Sequence, residues 1–137
     1  MPATLKLEIV TPEARIYSED VEMVTLPAVE GEMGVFPMHV PLLTQVAAGE
    51  VVALKDGRDH HLAIGDGFVQ ITGDRVAIMT DMAIQADAID ETQAEEARKR
   101  AEARLQEKLS DDDVAAAKAA LANSLAQLKV KRRGRAS

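Results

Sequence analysis

The residues that could do chemistry are few, and their spacing argues against an active site. The chain has three histidines, of which only His60 and His61 are neighbours. Adjacent residues of a strand point to opposite faces, so this pair is poorly placed to bind one metal ion. His39 stands between Met38 and Val40, with no group of carboxylates at ligand spacing nearby. The chain has no cysteine, which excludes a thiolate metal site and a cysteine nucleophile.

Sequence motifs for catalysis and for phosphate binding are also missing. The serines and threonines do not stand in a nucleophile-elbow pattern, and neither a Walker-type loop nor a dinucleotide fingerprint occurs. The glycines in GDGFVQITG flank a strand-like run and therefore indicate two hairpin turns. We expect no catalytic residue and no metal site, so the sequence predicts a binding protein.

Composition and charge limit the partners. Aromatic residues make up 2% of the chain, so the core must consist of aliphatic side chains and Met. Of the net charge of −7, residues 1–86 carry −8 and residues 87–137 carry +1. A net acidic body disfavours nucleic-acid binding, which depends on neutralising phosphates. The first residues lack the apolar run of a signal peptide, and no run approaches the ~18 apolar residues of a membrane span. We expect membrane association only through partners.

The first part of the chain has the periodicity of half-buried strands. LKLEIV places Leu5, Leu7 and Ile9 on one face, and similar short runs recur as far as about residue 81. Turn signals such as Asp56-Gly57 and Gly73-Asp74 separate these runs. The spacing predicts an antiparallel β-sandwich or barrel over residues 1–86.

The remaining residues, 87–137, have the pattern of two helices. The run from Ile89 to Leu109 lacks Gly and Pro, and Asp90 with Gln93 can cap its start. Ser110 can cap a second helix that opens with three aspartates. The apolar face of that helix would be Val114, Ala117, Leu121, Leu125 (or Ser124) and Leu128. A tight turn makes the helices antiparallel, and so small a hairpin must rest on the sandwich, on a partner, or on each at different times.

The segment LPAVEGEMGVFPMHVPLLT joins strand-like runs through an acidic loop. Its three prolines cannot donate ladder hydrogen bonds, which confines the segment to strand ends, edges and turns. Gly31 and Gly34 let the chain reverse and display Glu30 and Glu32 outward. On residue chemistry alone, the loop is either a solvated acidic turn or a contact loop at one end of the sandwich.

This segment carries a family resemblance. EGEMGVFPMHVPLLT, followed by Ala48-Gly49, resembles the pattern of the epsilon subunit of bacterial F-type ATP synthases, called delta in mitochondria. The resemblance continues through LAIGDGFVQITGDRVAIMTDMAI, Ile89-Asp90 and RKRAEARL, and so covers essentially the whole chain. The family combines a β-sandwich with a C-terminal helical hairpin, the architecture expected here from periodicity.

The resemblance implies a non-catalytic subunit in the central stalk, the rotor, of a proton-translocating ATP synthase. The sandwich would bind the gamma subunit and rest on the ring of c subunits. The implied c-ring contact consists of Glu30, Gly31, Glu32 and Met33, with His39 close by. The implied location is peripheral, on the cytoplasmic side of the cell inner membrane.

Some relatives bind ATP through an I-D-x-x-R-A motif and further arginines. The chain keeps Ile89, Asp90, Ala94 and Arg100 of this site. The expected arginines are replaced by Gln93, Asn123 and Gln127, and an expected glutamate by Ile84. The loss of three guanidinium groups removes bidentate phosphate partners, so we expect a vestigial site and no cofactor. A soluble nucleotide-sensing module is the alternative, and calorimetry with ATP and ADP would distinguish the two.

The family hairpin can also extend into the catalytic head and inhibit hydrolysis. Basic residues of the second helix then meet acidic residues of the catalytic beta and alpha subunits. In this chain they would be Lys129, Lys131, Arg132, Arg133 and Arg135. The sequence leaves open whether this cluster makes such a contact or is a frayed, solvated tail.

Overall fold

The computed structural model describes residues 3–136, with side chains as far as residue 133. Within this range ten strands precede a short 3-10 helix, Ala86–Ala88, and two α-helices. The strands are β1 (Leu5–Val10), β2 (Arg15–Val21), β3 (Met23–Ala28), β4 (Gly31–Val35), β5 (His39–Val46), β6 (Gly49–Lys55), β7 (Arg58–Ile64), β8 (Gly67–Gly73), β9 (Arg75–Thr80) and β10 (Ala83–Gln85). The helices are α1 (Glu91–Leu105) and α2 (Asp111–Ala136).

The strands form one sheet that folds over on itself. Their order is β10-β7-β6-β3-β5-β8-β9-β1-β2, and β4 pairs with β3 beside this path. The sheet curves until β2 contacts β6 and β10, which produces two layers and confirms the predicted sandwich. Described neighbours are antiparallel except β1 and β9, which run parallel. No hairpin turn joins that pair, so turn chemistry did not constrain its direction.

The sandwich core is almost entirely aliphatic, as the composition predicts. Leu5, Leu7 and Ile9 are buried along β1, and the other layer contributes residues such as Leu62 and Ile64. Tyr17 is the aromatic residue of this cluster, and its buried hydroxyl has no hydrogen-bond partner. Burial, followed by the charge of Glu19, raises the pKa of Tyr17 above its ordinary value.

The predicted caps form at both helix starts. The backbone N–H of Gln93 donates to Oδ1 of Asp90 over 3.1 Å, and that of Asp113 donates to Oγ of Ser110 over 3.2 Å. Each bond satisfies one of the four N–H groups that the first turn of a helix leaves without a partner. The first helix ends at Leu105, four residues before the predicted end.

Helix α2 is buried on two sides. Ala117, Ser124 and Leu128 form one buried stripe at helical spacing, which faces α1. Ala126 and Val130 form a second stripe that packs against Ala63 and Ile89. Of the two alternatives in the predicted face, Ser124 is buried, and its hydroxyl donates to the carbonyl of Leu121. Leu125 lies on the surface, 48% exposed.

Gly67 sits where the sandwich has no room for a side chain. It opposes Thr80 in the β8/β9 register. A Cβ atom there would overlap the carbonyl oxygen of Met79 and lie 2.9 Å from Cα of Thr80. Both obstacles are backbone, so they cannot move aside as a flexible side chain would. The sequence must therefore have glycine at this position.

We expect Gly67→Ala to lower the free energy of unfolding by about 2–3 kcal/mol, because the added methyl overpacks the strand pair. Urea unfolding of the full chain measures this loss. The control is Gln70→Ala, at an exposed position of the same strand, which should change stability by about 0.5 kcal/mol or less. Equal unfolding midpoints for the two variants would contradict the steric account.

Candidate functional site

The outer side of one sandwich layer carries exposed apolar residues. Phe36 and Phe68, the two phenylalanines of the chain, are 59% and 49% exposed. Phe68 and Met79 are cross-strand neighbours, and Leu43 lies two residues before Gln45, the β5 partner of Phe68. We call Val29, Leu43, Phe68 and Met79 the apolar face. Its members are 43–68% exposed, and a shallow cavity of about 390 Å³ lies among Val29, Leu43 and Phe68.

This face belongs to the layer that the hairpin leaves uncovered. Helix α2 packs against β6 and β7, whereas the apolar face is built mainly on β5, β8 and β9. Folded monomers rarely leave contiguous apolar patches open, and aromatic residues are enriched at protein interfaces. The arrangement is therefore that of a protein-binding surface.

The acidic turn predicted from the sequence connects β3 to β4. Glu30, Gly31 and Glu32 are exposed, and Gly31 has a φ of 130°, which favours glycine. The side chain of Met33 is turned inward and packs against the sandwich core. Of the predicted contact residues in this turn, the structure therefore displays the two glutamates and the glycine.

His39 is not close to the acidic turn, contrary to the expectation. It begins β5 and pairs with Gly73, whereas Val46, at the other end of β5, pairs with Ala28 beside the turn. These two positions are at opposite ends of β5, so most of the length of that strand separates His39 from the turn. Nδ1 of His39 is instead 2.7 Å from the carbonyl oxygen of Val40. The role of these residues at a c ring stays a prediction.

A cavity of about 400 Å³ lies where α1, α2 and the end of the sheet meet. Asp90, Ala94 and Arg100 of the predicted nucleotide site line it, but Ile89 packs into the apolar cluster beside α2 instead. The four positions at which the motif departs from the family line the same cavity: Ile84, Gln93, Asn123 and Gln127. The structure thus gathers residues that are scattered over more than forty positions of the sequence.

The charges of this cavity balance. Among the described lining residues Arg100 is the cation and Asp90 the anion, and the other polar groups are amides and the hydroxyl of Ser124. Oδ1 of Asp90 is already engaged in capping α1. A triphosphate needs several positive groups in bidentate geometry. The cavity offers one guanidinium and is therefore better suited to neutral polar groups than to ATP.

A third polar cluster, which the sequence analysis missed, joins α2 to the sheet. The side chain of Glu50 is 5% exposed, although a lone buried carboxylate is costly. Its Oε2 accepts a hydrogen bond from Nδ1 of His61 at 3.0 Å, and its Oε1 accepts one from Arg133 of α2. We call Glu50, His61 and Arg133 the polar seam. The sequence did contain a signal for this cluster. A glutamate begins the apolar run EVVALK, and a histidine lies on the strand that pairs with it.

Three basic residues near the end of the chain, Lys131, Arg132 and Arg133, are helical and contact other groups of the molecule. Nζ of Lys131 donates to the carbonyl of Ala86 over 3.4 Å. Arg132 binds Glu91 and Glu95 of α1 over 3.2 and 3.0 Å. Lys129 is exposed, and the side chain of Arg135 lies outside the described residues. The alternative of a frayed tail is therefore wrong for residues 129–133, which belong to α2.

Comparison with known proteins identifies the family. The family model described as ATP synthase, Delta/Epsilon chain, beta-sandwich domain matches residues 4–86. The model of the long alpha-helix domain of the same chain matches residues 87–132. The chain belongs to the ATP synthase delta/epsilon family. This membership confirms the resemblance seen in the sequence. It also confirms the predicted function, a non-catalytic chain of an ATP synthase.

Individual relatives agree with this membership. The chain is 44% identical over 126 residues to the ATP synthase epsilon chain of Herpetosiphon aurantiacus, covering 92% of this chain and 93% of the relative. It is 41% identical over 129 residues to that of Dehalococcoides mccartyi, covering 93% and 92%. Both matched regions cover more than nine tenths of this chain and of the relative.

Solved structures of the same fold come from ATP synthases. A chain of the Euglena gracilis mitochondrial OSCP/F1/c-ring structure has a TM-score of 0.76 at 24% identity, covering 100% of this chain and 84% of that one. A chain of the Tetrahymena thermophila central stalk/c-ring structure has a TM-score of 0.65 at 13% identity, covering 93% and 96%. At these identities the likeness concerns the fold. No helix within residues 3–136 is long and apolar enough to cross a membrane.

The cavity of about 400 Å³ between α1, α2 and the end of the sheet, which we call the interhelical cavity, generates a gain-of-function prediction. We expect the unmodified chain to give no heat of binding with ATP at about 1 mM, whereas Gln93→Arg/Asn123→Arg/Gln127→Arg should bind at least about 100-fold tighter, because charge-assisted hydrogen bonds contribute about 1.5–3 kcal/mol each. Isothermal calorimetry measures both. The control adds the same charge at exposed glutamines outside the cavity, with Gln45→Arg/Gln70→Arg/Gln106→Arg. Micromolar binding by the unmodified chain would refute the charge argument.

The ion pairs between the helices generate a pH prediction. Hydrogen bonding from Arg98, together with Arg132, lowers the pKa of Glu95 below its ordinary value. A lowered folded-state pKa stabilises the fold fully above the unfolded pKa, and this stability is lost as the pH falls through the folded value. Glu95→Gln should therefore lower Tm at neutral pH, and the gap from wild type should close as the pH falls below the ordinary pKa of a glutamate. The control is Glu107→Gln, at an exposed position, and a gap that persists in acid would contradict the prediction.

Proposed function

We propose that the chain is a central-stalk subunit of a proton-translocating F-type ATP synthase, which holds the gamma subunit and the c ring together without a catalytic residue of its own. Membership of the delta/epsilon family supports the assignment to ATP synthase. The observation that carries the stalk role is the uncovered apolar face, because a subunit of this role needs a protein-binding surface that its own hairpin does not occupy.

The gamma subunit is the proposed partner of the apolar face. Leu43 and Phe68 are 68% and 49% exposed and could be buried together by one partner. Burying a side chain of this size contributes about 1.5–3 kcal/mol. Because α2 occupies the other layer, this contact and the docked hairpin can coexist.

The c ring is the proposed partner of the acidic turn. Glu30 and Glu32 are exposed on a turn whose conformation Gly31 fixes. Charges at the rim of an interface set orientation and suppress wrong pairings more than they add affinity. Polar or basic loops of the ring would fit this turn, and the contact would keep the chain peripheral on the cytoplasmic side of the cell inner membrane.

The docked hairpin is the proposed non-inhibitory state. Lys131, Arg132 and Arg133 are engaged inside the chain and are not free to meet acidic residues of the catalytic beta or alpha subunits. Inhibition through these residues would require α2 to leave the sheet. The alternative of a nucleotide sensor has less support, because the interhelical cavity has balanced charges and lacks the guanidinium groups that a triphosphate needs.

The test uses the ATP synthase of the source organism from which this chain has been removed. Wild-type chain is added back, and binding and ATP-driven proton pumping are measured. Phe68→Glu should bind at least about 10-fold more weakly and restore less pumping, because the contact loses apolar burial and gains an unpaired charge. The matched control is Leu125→Glu, at a residue of α2 that is 48% exposed against 49% for Phe68.

The outcomes separate the two parts of the proposal. If the wild-type chain neither binds the depleted enzyme nor restores pumping, the stalk role is wrong. If the wild type restores pumping and Phe68→Glu does so equally well, the stalk role stands and the apolar face is not the gamma contact.

A further inference from the structure

We propose that the polar seam is a latch that decides whether the C-terminal half of α2 stays docked on the sandwich. Glu50 is the buried half of the latch, Arg133 is the half that moves with the helix, and His61 holds the second oxygen of Glu50 in place. The inference goes beyond the stalk role, because it concerns the hairpin of this chain with or without partners.

Glu50 depends on α2 for its burial. It lies on β6 opposite Ala63 of β7, and Ala63 is fully buried in a cluster with Ile89 and with Ala126 and Val130 of α2. With the helix in place, the Glu50 side chain is 5% exposed. The hydrogen bond from His61 satisfies one carboxylate oxygen, and Arg133 satisfies the other. Without Arg133, docking would bury a carboxylate that has lost its cation.

The remaining contacts between α2 and the sheet are small. The buried cluster at this interface consists of Ala63, Ile89, Ala126 and Val130, with Met82, Ile84 and Ala86 partly buried beside it. Alanine contributes little apolar area, and Met82 and Ile84 also line the interhelical cavity. We therefore infer that the polar seam contributes a large part of the free energy that holds α2 on the sheet.

The two arginines at the end of α2 differ in the burial of their partners. The side chains of Arg132 and Arg133 are 54% and 55% exposed. The carboxylate partners of Arg132, on α1, are 27% and 26% exposed, against 5% for Glu50. Exposed pairs contribute little, whereas removing one partner of a buried pair leaves an uncompensated charge. Removal of Arg133 should thus release the helix, and removal of Arg132 should not.

The latch predicts that removing both charges repairs the damage of removing one. Replacing a buried ion pair by neutral groups of similar volume is often neutral for stability, while breaking it is costly. Glu50→Gln keeps an amide that can hydrogen-bond His61, and it leaves Arg133 half exposed to water. We therefore expect Arg133→Gln to open the interface more than Glu50→Gln, and the double variant to close it again.

A single introduced cysteine can report docking, because the chain has no cysteine of its own. Ala126 lies on the side of docked α2 that faces the sheet and is 5% exposed, so the thiol of Ala126→Cys should react slowly with iodoacetamide in the full chain. In this background, Arg133→Gln should raise the alkylation rate at least about 10-fold. Arg132→Gln should raise it less than about 3-fold, as expected for exposed pairs. Glu50→Gln/Arg133→Gln should return to within about 3-fold of the parent.

Two further cysteine sites distinguish undocking of α2 from unfolding of the whole chain. Ala53 is completely buried in the sandwich core, and a cysteine there should stay protected in every variant unless the sandwich itself unfolds. Ala115 is exposed on α2, and a cysteine there should react at the same rate throughout. The latch is overturned if Arg133→Gln reacts like the parent or like Arg132→Gln. It is also overturned if the double variant is as open as Arg133→Gln, because Glu50 would then not be the partner that matters.

Discussion

The hairpin is attached to the sandwich by one helix, and this helix must bury two sides at once. Ala117, Ser124 and Leu128 face α1, while Ala126 and Val130 face the sheet. A helix buried on opposite sides cannot have the single apolar stripe of an ordinary surface helix. Its sequence instead uses small residues that permit close approach, which leaves little apolar area on either side. The polar contacts at the end of α2 gain their importance from this shortage.

The sandwich separates the hairpin from the surface that partners would use. One layer, with β6 and β7, supports α2, and the outer side of the other layer carries the apolar face. The chain concentrates its exposed large apolar residues there and around the start of β5, while its core contains Tyr17 as the aromatic member. A partner on the apolar face would leave α2 in place, and a movement of α2 would leave the apolar face unchanged. Assembly and hairpin position can therefore vary independently.

Local patterns predicted the elements better than the contacts between them. Alternation predicted the buried side of β1, and the capping pairs predicted where α1 and α2 begin, because these features depend on neighbouring residues. The parallel pairing of β1 with β9 and the distance of His39 from the acidic turn depend on how the whole sheet folds. The polar seam joins residues 50, 61 and 133, and no spacing rule links positions so far apart. The residues that line the interhelical cavity could be named from the sequence only because the family's nucleotide-binding motif lists these positions together.

The ion pairs also change the meaning of the uneven charge along the chain. The sequence alone presents an acidic body followed by a basic end, which invites a search for an external acidic partner. In the folded chain Arg133 neutralises Glu50 of the body, and Arg132 pairs with glutamates of α1. An external acidic partner must therefore compete with internal carboxylates. One of them, Glu50, would stay buried without its cation if Arg133 left while the helix stayed in place. Exchange of partners thus requires α2 to move away from the sheet, so that Glu50 regains water as Arg133 becomes available.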